Sequence, residues 1–197
     1  RAWAQGNYDN FTVKFGKMEL ASAEGYTGAG NLVLDREFSG AEVTFGKDLK
    51  AKLQAGQANL NLDQKDYPGT AHVTANYQGI ELQYDKDNWM AGAGYYHAKT
   101  DFWKGTLRDA NGTAKDVWAV NAGYKFDDNV QLAASYAKNN KIDAEKKYKK
   151  SYQIGLDYKG AEAMDKGSWG AYVAYRYLGG ASIAPTTDGA TAWTKGI

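Results

Sequence analysis

Leu49-Lys50-Ala51-Lys52-Leu53-Gln54-Ala55 alternates without a break, apolar at each odd position and charged or amide-bearing at each even one. In an extended chain successive side chains point to opposite faces, so this stretch gathers its leucines and alanines on one side and its lysines on the other. Wound into a helix, the same residues would scatter lysine among leucine and leave no apolar stripe. The stretch therefore predicts a strand with one face against an apolar medium and one in water.

The rule extends in both directions. Arg1-Ala2-Trp3-Ala4-Gln5 reads as the inside of a strand, Phe11-Thr12-Val13-Lys14-Phe15 and Ala41-Glu42-Val43-Thr44-Phe45 obey the alternation, and so do 89–98, 118–126, 130–136, 152–158 and 169–178. Ala71-His72-Val73-Thr74-Ala75-Asn76-Tyr77 keeps it, and Ile80-Glu81-Leu82-Gln83-Tyr84 restates it with the parity shifted, which predicts a bulge near Gln78-Gly79. About ten full strands result, with an eleventh expected to begin at Ala192-Trp193. Nothing in the chain supports the helical period comparably.

Composition agrees. The 197 residues include 15 Tyr, 6 Trp, 6 Phe and 23 Gly, a mixture that favours strands over helices. No apolar run approaches the ~20 residues of a membrane helix, but a barrel strand needs only every second residue apolar. With 24 Lys+Arg against 23 Asp+Glu the global charge footprint of a nucleic-acid binder is missing. The absence of cysteine removes disulfides, thiolate metal sites and cysteine nucleophiles.

The connections alternate too. Short polar turns at Asp9-Asn10, Gly46-Lys47-Asp48, Asp85-Lys86-Asp87-Asn88 and Asp127-Asp128-Asn129 are interleaved with long segments near 20–37, 59–69, 99–115, 139–150 and 179–190. The link at 160–167 belongs to the short series, though it is longer than the others. Such a meander, with aromatics such as Tyr8, Phe45, Trp89, Tyr124 and Tyr158 near strand ends and alanines between, has the layout of an outer-membrane barrel. The expected fold is all-β: an antiparallel up-and-down transmembrane β-barrel. Because the chain opens inside a strand and closes inside another, it is expected to be part of a larger barrel.

Chemistry-bearing patterns are weak. Gly25-Tyr26-Thr27-Gly28-Ala29-Gly30 lacks the Gly-Lys-Ser/Thr ending of a phosphate loop. His72 and His97 lie in no metal spacing, the Asp pairs at 85/87 and 127/128 fit turns, and no Ser/His/Asp set is recognisably spaced. No catalytic residue, cofactor or metal is expected. The basic run 141–150 reads as a solvated loop, with anionic lipid headgroups or saccharides as possible ligands, and Asn111-Gly112-Thr113 as a turn.

Phe11 to Gly16 followed by Lys17-Met18, a Gly-rich segment and then Phe38-Ser39-Gly40-Ala41-Glu42-Val43 resembles the general porins, around the strands flanking their inward-folded third external loop. Gly79 to Tyr84 and Ala119 to Phe126 resemble the same family, and the Tyr/Lys-rich texture is most similar to the S-layer-homology-anchored (OmpM-type) porins of diderm Firmicutes. The resemblance implies a sixteen-stranded homotrimeric barrel in the cell outer membrane, spanned here from about the fourth strand to the start of the fourteenth. It also implies a cell-wall tether through a domain outside this chain. Segment 20–37 would then be the constriction loop, with Glu24, Asp35 and Glu37 beside Arg36. Strand parity independently turns Lys14, Lys50, Lys52, Lys125 and Arg176 inward, together with Glu42, Glu81 and Asp157. An acidic loop opposite a mainly basic wall would sort small hydrophilic solutes and ions by size and charge. Two other readings stay open: a soluble β-barrel or sandwich that stacks sugars on its aromatics, and a barrel whose main role is anchoring the outer membrane to the wall.

Overall fold

The computed structural model describes residues 2–21, 32–60, 73–104, 113–141, 149–160, 164, 166–180 and 183. Ten strands follow one another: β1 (Ala2–Asn7), β2 (Phe11–Ala21), β3 (Asp35–Gly46), β4 (Leu49–Asn59), β5 (Thr74–Lys86), β6 (Trp89–Lys99), β7 (Ala114–Lys125), β8 (Val130–Asn139), β9 (Lys150–Lys159) and β10 (Gly170–Tyr177). They form one sheet in sequence order, each strand antiparallel to the next, as the alternation predicts. Among the described residues β1 and β10 are its two edges. The eleventh strand expected at 192–193 falls outside the described residues.

The short links are turns for backbone reasons. Two residues join β3 to β4, where Gly46 takes φ +91°, and two join β5 to β6, where Asp87 takes φ 55°. Glycine tolerates that left-handed region freely and Asp is among the few other residues that visit it. Asp127 closes the β7–β8 link by accepting from the Asn129 amide at 2.7 Å and the Val130 amide at 2.9 Å.

The β5 register runs unbroken against both β4 and β6, so the bulge expected near Gln78-Gly79 is absent. What changes along β5 is the medium, not the geometry. Ile80, Leu82 and Tyr84 stand exposed on the outer face beside buried Glu81 and Gln83. Further along the same strand the outer face carries Thr74, Asn76 and Gln78, and the inner face buries Ala75 and Tyr77. One strand passes from an apolar to an aqueous exterior, and its interior changes in the opposite sense.

The outer apolar band crosses the ladder obliquely. A line of directly paired residues runs Phe11–Phe45–Ala51–Leu82–Ala93–Val120–Tyr136–Tyr152–Tyr177. It starts among aromatics beside the short turns and ends among aromatics beside the long connections. At β9 the short-turn aromatic is Tyr158, six residues from Tyr152. From β2 to β9, six residues of about 3.3 Å against seven strand steps of about 4.8 Å give a tilt of roughly 30°, near that of a membrane barrel wall. Both rims carry ring pairs: Tyr8–Phe11 (4.6 Å), Trp89–Tyr124 (4.7 Å) and Tyr158–Trp169 (5.5 Å) on one, Trp118–Tyr136 (5.2 Å) and Tyr152–Tyr177 (5.4 Å) on the other.

The apolar core lies on the inner face, toward the long connections. Met18, Phe38, Ala58, Ala75, Tyr77, Tyr96, Val117 and Ala137 form its floor. Leu32, Val33, Leu34, Trp103 and Ile183 cover it, Trp103 from a short 3-10 turn (Asp101–Trp103) after β6.

Candidate functional site: a polar ladder on the inner wall

Four strands place one connected polar network on the inner face. Tyr77 Oη donates to Gln54 Oε1 (3.0 Å), and Gln54 Nε2 donates to Glu42 Oε2 (2.9 Å). Lys52 Nζ lies 3.9 Å from Glu42 Oε2 and 3.4 Å from Glu81 Oε2. Glu81 also accepts from Tyr96 Oη (2.9 Å) and Gln83 Nε2 (3.2 Å). Glu81 is fully buried, whereas the Lys52 side chain keeps 20% of its surface open to the interior. A buried carboxylate needs several donors, and three different side chains supply them here.

Glycines make room for the rings in this network. A Cβ at Gly79 would stand 2.6 Å from Tyr77 Oη, and one at Gly94 would stand 2.8 Å from Tyr96 Cε2. Each tyrosine therefore lies flat along its own strand over a glycine two positions away, which brings its hydroxyl down to the amide or carboxylate of the next strand.

The sequence-derived wall residues fall on the inner register. Lys14 pairs with Glu42 across β2–β3, and its ammonium sits 4.8 Å from the centre of the Trp3 ring. Lys50 pairs with Gln83 and Lys52 with Glu81. Lys125 pairs with Gln131, which pairs with Asp157, and these line a polar recess of about 450 Å³ with Lys159 near the β7–β8 turn. Arg176 pairs with Gln153 on β9. At the centre of the wall Lys52 is held between two carboxylates.

The expected loop 20–37 is narrower than its composition suggested. Pairing of β2 with β3 continues through Leu20↔Arg36 to Ala21↔Asp35, so Asp35, Arg36 and Glu37 belong to β3. Asp35 and Glu37 take the register positions of the outer residues Ala41, Val43 and Phe45, and Glu37 Oε2 meets Lys17 Nζ at 2.7 Å. Strand alternation sends them outward, so they do not carry the acid of an inward loop. Glu24 falls outside the described residues, as do His72 and Asn111. His97 contacts Asp116 on the outer register, with Lys141 Nζ 3.6 Å from the same carboxylate.

Sequence reasoning missed Tyr77, Tyr96, Gln54 and Gln83 as wall residues. The available signal was a ring two positions from a glycine, as in Tyr77-Gln78-Gly79 and Gly94-Tyr95-Tyr96.

A tilted meander with an aromatic-edged apolar exterior and a polar ladder inside is the wall of a transmembrane β-barrel. OmpF of Salmonella typhi, solved in complex with daunomycin, is similar at a TM-score of 0.50 and 16% identity, over 94% of this chain and 52% of that one. OmpT, an outer membrane protein of Vibrio cholerae solved after in-vitro folding, aligns at a TM-score of 0.49 and 20% identity, over 89% of this chain and 52% of that one. The chain thus spans about half the length of these proteins. No family model and no curated protein matches the sequence.

Proposed function

We propose that this chain is part of an outer-membrane porin, a water-filled channel through which ions and small hydrophilic solutes diffuse passively. One observation carries the reading: the sheet is apolar outside and ionic inside at the same level. Ile80 and Leu82 stand exposed on the outer face, while between them Glu81 turns inward to Lys52. A soluble sandwich would reverse this, burying its apolar face and solvating its charges. Lipid against the outer face and water inside account for both, and the ladder gives backbone groups their partners within the membrane.

Solutes would be sorted where Lys52, Glu42 and Glu81 meet the lumen. Glu24, within the Gly-rich segment, remains the proposed acidic member of an inward loop. A homotrimer of sixteen-stranded barrels, the S-layer-homology-anchored subgroup and a cell-wall tether in another part of the protein belong to the same proposal and rest on sequence resemblance.

Single-channel current of the full-length native protein in a planar bilayer tests the reading. Steady ohmic steps are expected. Their absence from protein that extracts only with detergent would favour an anchoring barrel, and their absence from protein soluble without detergent would favour a sugar-binding module.

A further inference from the structure

Beyond β10 the chain turns back across the inner face of the sheet, and each of three successive strands holds it with one buried side chain. On β9, Ser151 Oγ accepts from the Gly179 amide (2.9 Å) and lies 3.3 Å from the Gly179 carbonyl oxygen, to which it can donate. On β8, Asn139 Nδ2 donates to the Gly180 carbonyl at 3.4 Å. On β7, Lys115 Nζ donates to the Ile183 carbonyl at 3.0 Å. The Ile183 amide then donates to the Val33 carbonyl at 2.8 Å, joining this segment to the one that enters β3.

Position and chemistry both mark these side chains as anchors. Ser151, Asn139 and Lys115 occupy the inner positions of their strands nearest the long connections, and all three are buried. Sheet pairing uses only their backbones and does not require polar side chains at these places. Burying an ammonium is costly, and Lys115 meets that cost with a carbonyl 68 residues away and the face of the Trp103 ring at 4.4 Å. Ile183 itself is fully buried in the same core as Leu32, Val33 and Leu34. Tyr77 and Tyr96 belong both to this core and to the polar network, so the core adjoins the ionic ladder on the side of the long connections.

We propose that Leu178, Gly179, Gly180 and Ile183 form a strap that narrows the pore, seated by the positioning residues Ser151, Asn139 and Lys115 and fastened to Val33. This rests on the porin reading. The strap and Leu32, Val33 and Leu34 make an apolar shelf that limits solutes by size, while the Lys52 ladder discriminates by charge. The permeants are therefore hydrated solutes that must pass a fixed cross-section before or after an ionic one.

The test uses the full-length native protein in planar bilayers, with liposome swelling in sugars of graded size. Releasing the anchors together (Lys115→Met, Asn139→Ala, Ser151→Ala) is expected to raise single-channel conductance on the order of twofold and admit larger sugars. Adding Val33→Cys and Ile183→Cys to that variant, whose 197 residues here hold no other cysteine, should restore the smaller conductance on oxidation and release it on reduction. A folded, conducting triple variant with native conductance and native size limit would overturn the strap. Should the triple variant not fold, Ile183→Cys alone decides: slow labelling by a charged thiol reagent is expected of a seated residue, and rapid labelling would refute the seat. A native protein without current steps would remove the channel reading instead, while the labelling would still report on the strap.

Discussion

The Tyr96 phenol reaches Glu81 Oε1 at 2.9 Å because Gly94 leaves the inner surface of β6 bare beneath the ring. With a methyl at that position, Cε2 would stand 2.8 Å from the new carbon, and the ring would have to lift away from the wall. Gly94→Ala should therefore destabilise the barrel by roughly 1–3 kcal/mol, the usual range for overpacking a tight site. Tyr96→Phe should cost a similar amount, about 1–3 kcal/mol, by removing a donor from a fully buried carboxylate. The diagnostic result is their coupling. In a Tyr96→Ala background the Gly94→Ala substitution should lose most of its cost, read by urea titration in lipid vesicles. Equal costs in both backgrounds would mean that the glycine serves something other than the ring.

The β7–β8 turn makes a local prediction. Asp127 Oδ1 accepts from two amides, at 2.7 Å and 2.9 Å, in an exposed turn. Replacement by Ala should cost about 1 kcal/mol, and replacement by Asn, whose carbonyl can accept the same bonds, only a few tenths. Equilibrium unfolding of the three proteins checks the order.

How much of this was legible in the chain depends on the range of the contact. Alternation over 49–55 and its counterparts defined ten strands and placed Lys52, Glu42 and Glu81 on the interior, because side-chain direction in a strand is a property of neighbours in sequence. Alternation does not say which solvent each face meets. The exchange along β5, where Tyr77 goes in and Gln78 goes out, therefore looked like a bulge. Composition misplaced Asp35 and Glu37 for a related reason: acid beside glycines resembles a loop, and only the partner strand shows that pairing persists to Ala21↔Asp35. Lys115 and Ile183, 68 residues apart, had no local signal at all.

The outer band separates a membrane wall from a soluble sheet. Val120 lies mid-band on β7, 43% exposed, between the Trp118 and Tyr124 rings. Val120→Arg should destabilise the folded barrel in lipid by about 2–4 kcal/mol. Gln78→Arg, outward on β5 but beyond the apolar stretch, should cost about 0–1 kcal/mol. The measurement is folding free energy in vesicles. If both arginines were equally harmless, water rather than hydrocarbon would be covering Val120, and the membrane reading would fall with that result.

The ionic ladder predicts opposite shifts from its two signs of charge. Lys52 is the ladder's one ammonium, 3.4 Å from Glu81 Oε2 and 3.9 Å from Glu42 Oε2, and it is partly open to the interior. Lys52→Met keeps the stem and removes the charge, leaving two carboxylates to set the local potential. In a KCl gradient the reversal potential should move toward the potassium equilibrium value. Glu42→Gln keeps the acceptor for Gln54 Nε2 and removes a negative charge from the more open carboxylate, so its shift should run toward chloride. High salt should shrink both shifts, since at 1 M the screening length falls to about 3 Å. Conductance itself should change less than selectivity, because neither substitution adds bulk to the lumen. Two conducting variants with the native reversal potential at low salt would place the ladder off the ion path, and the selectivity of the channel would have to be sought at another level of the wall.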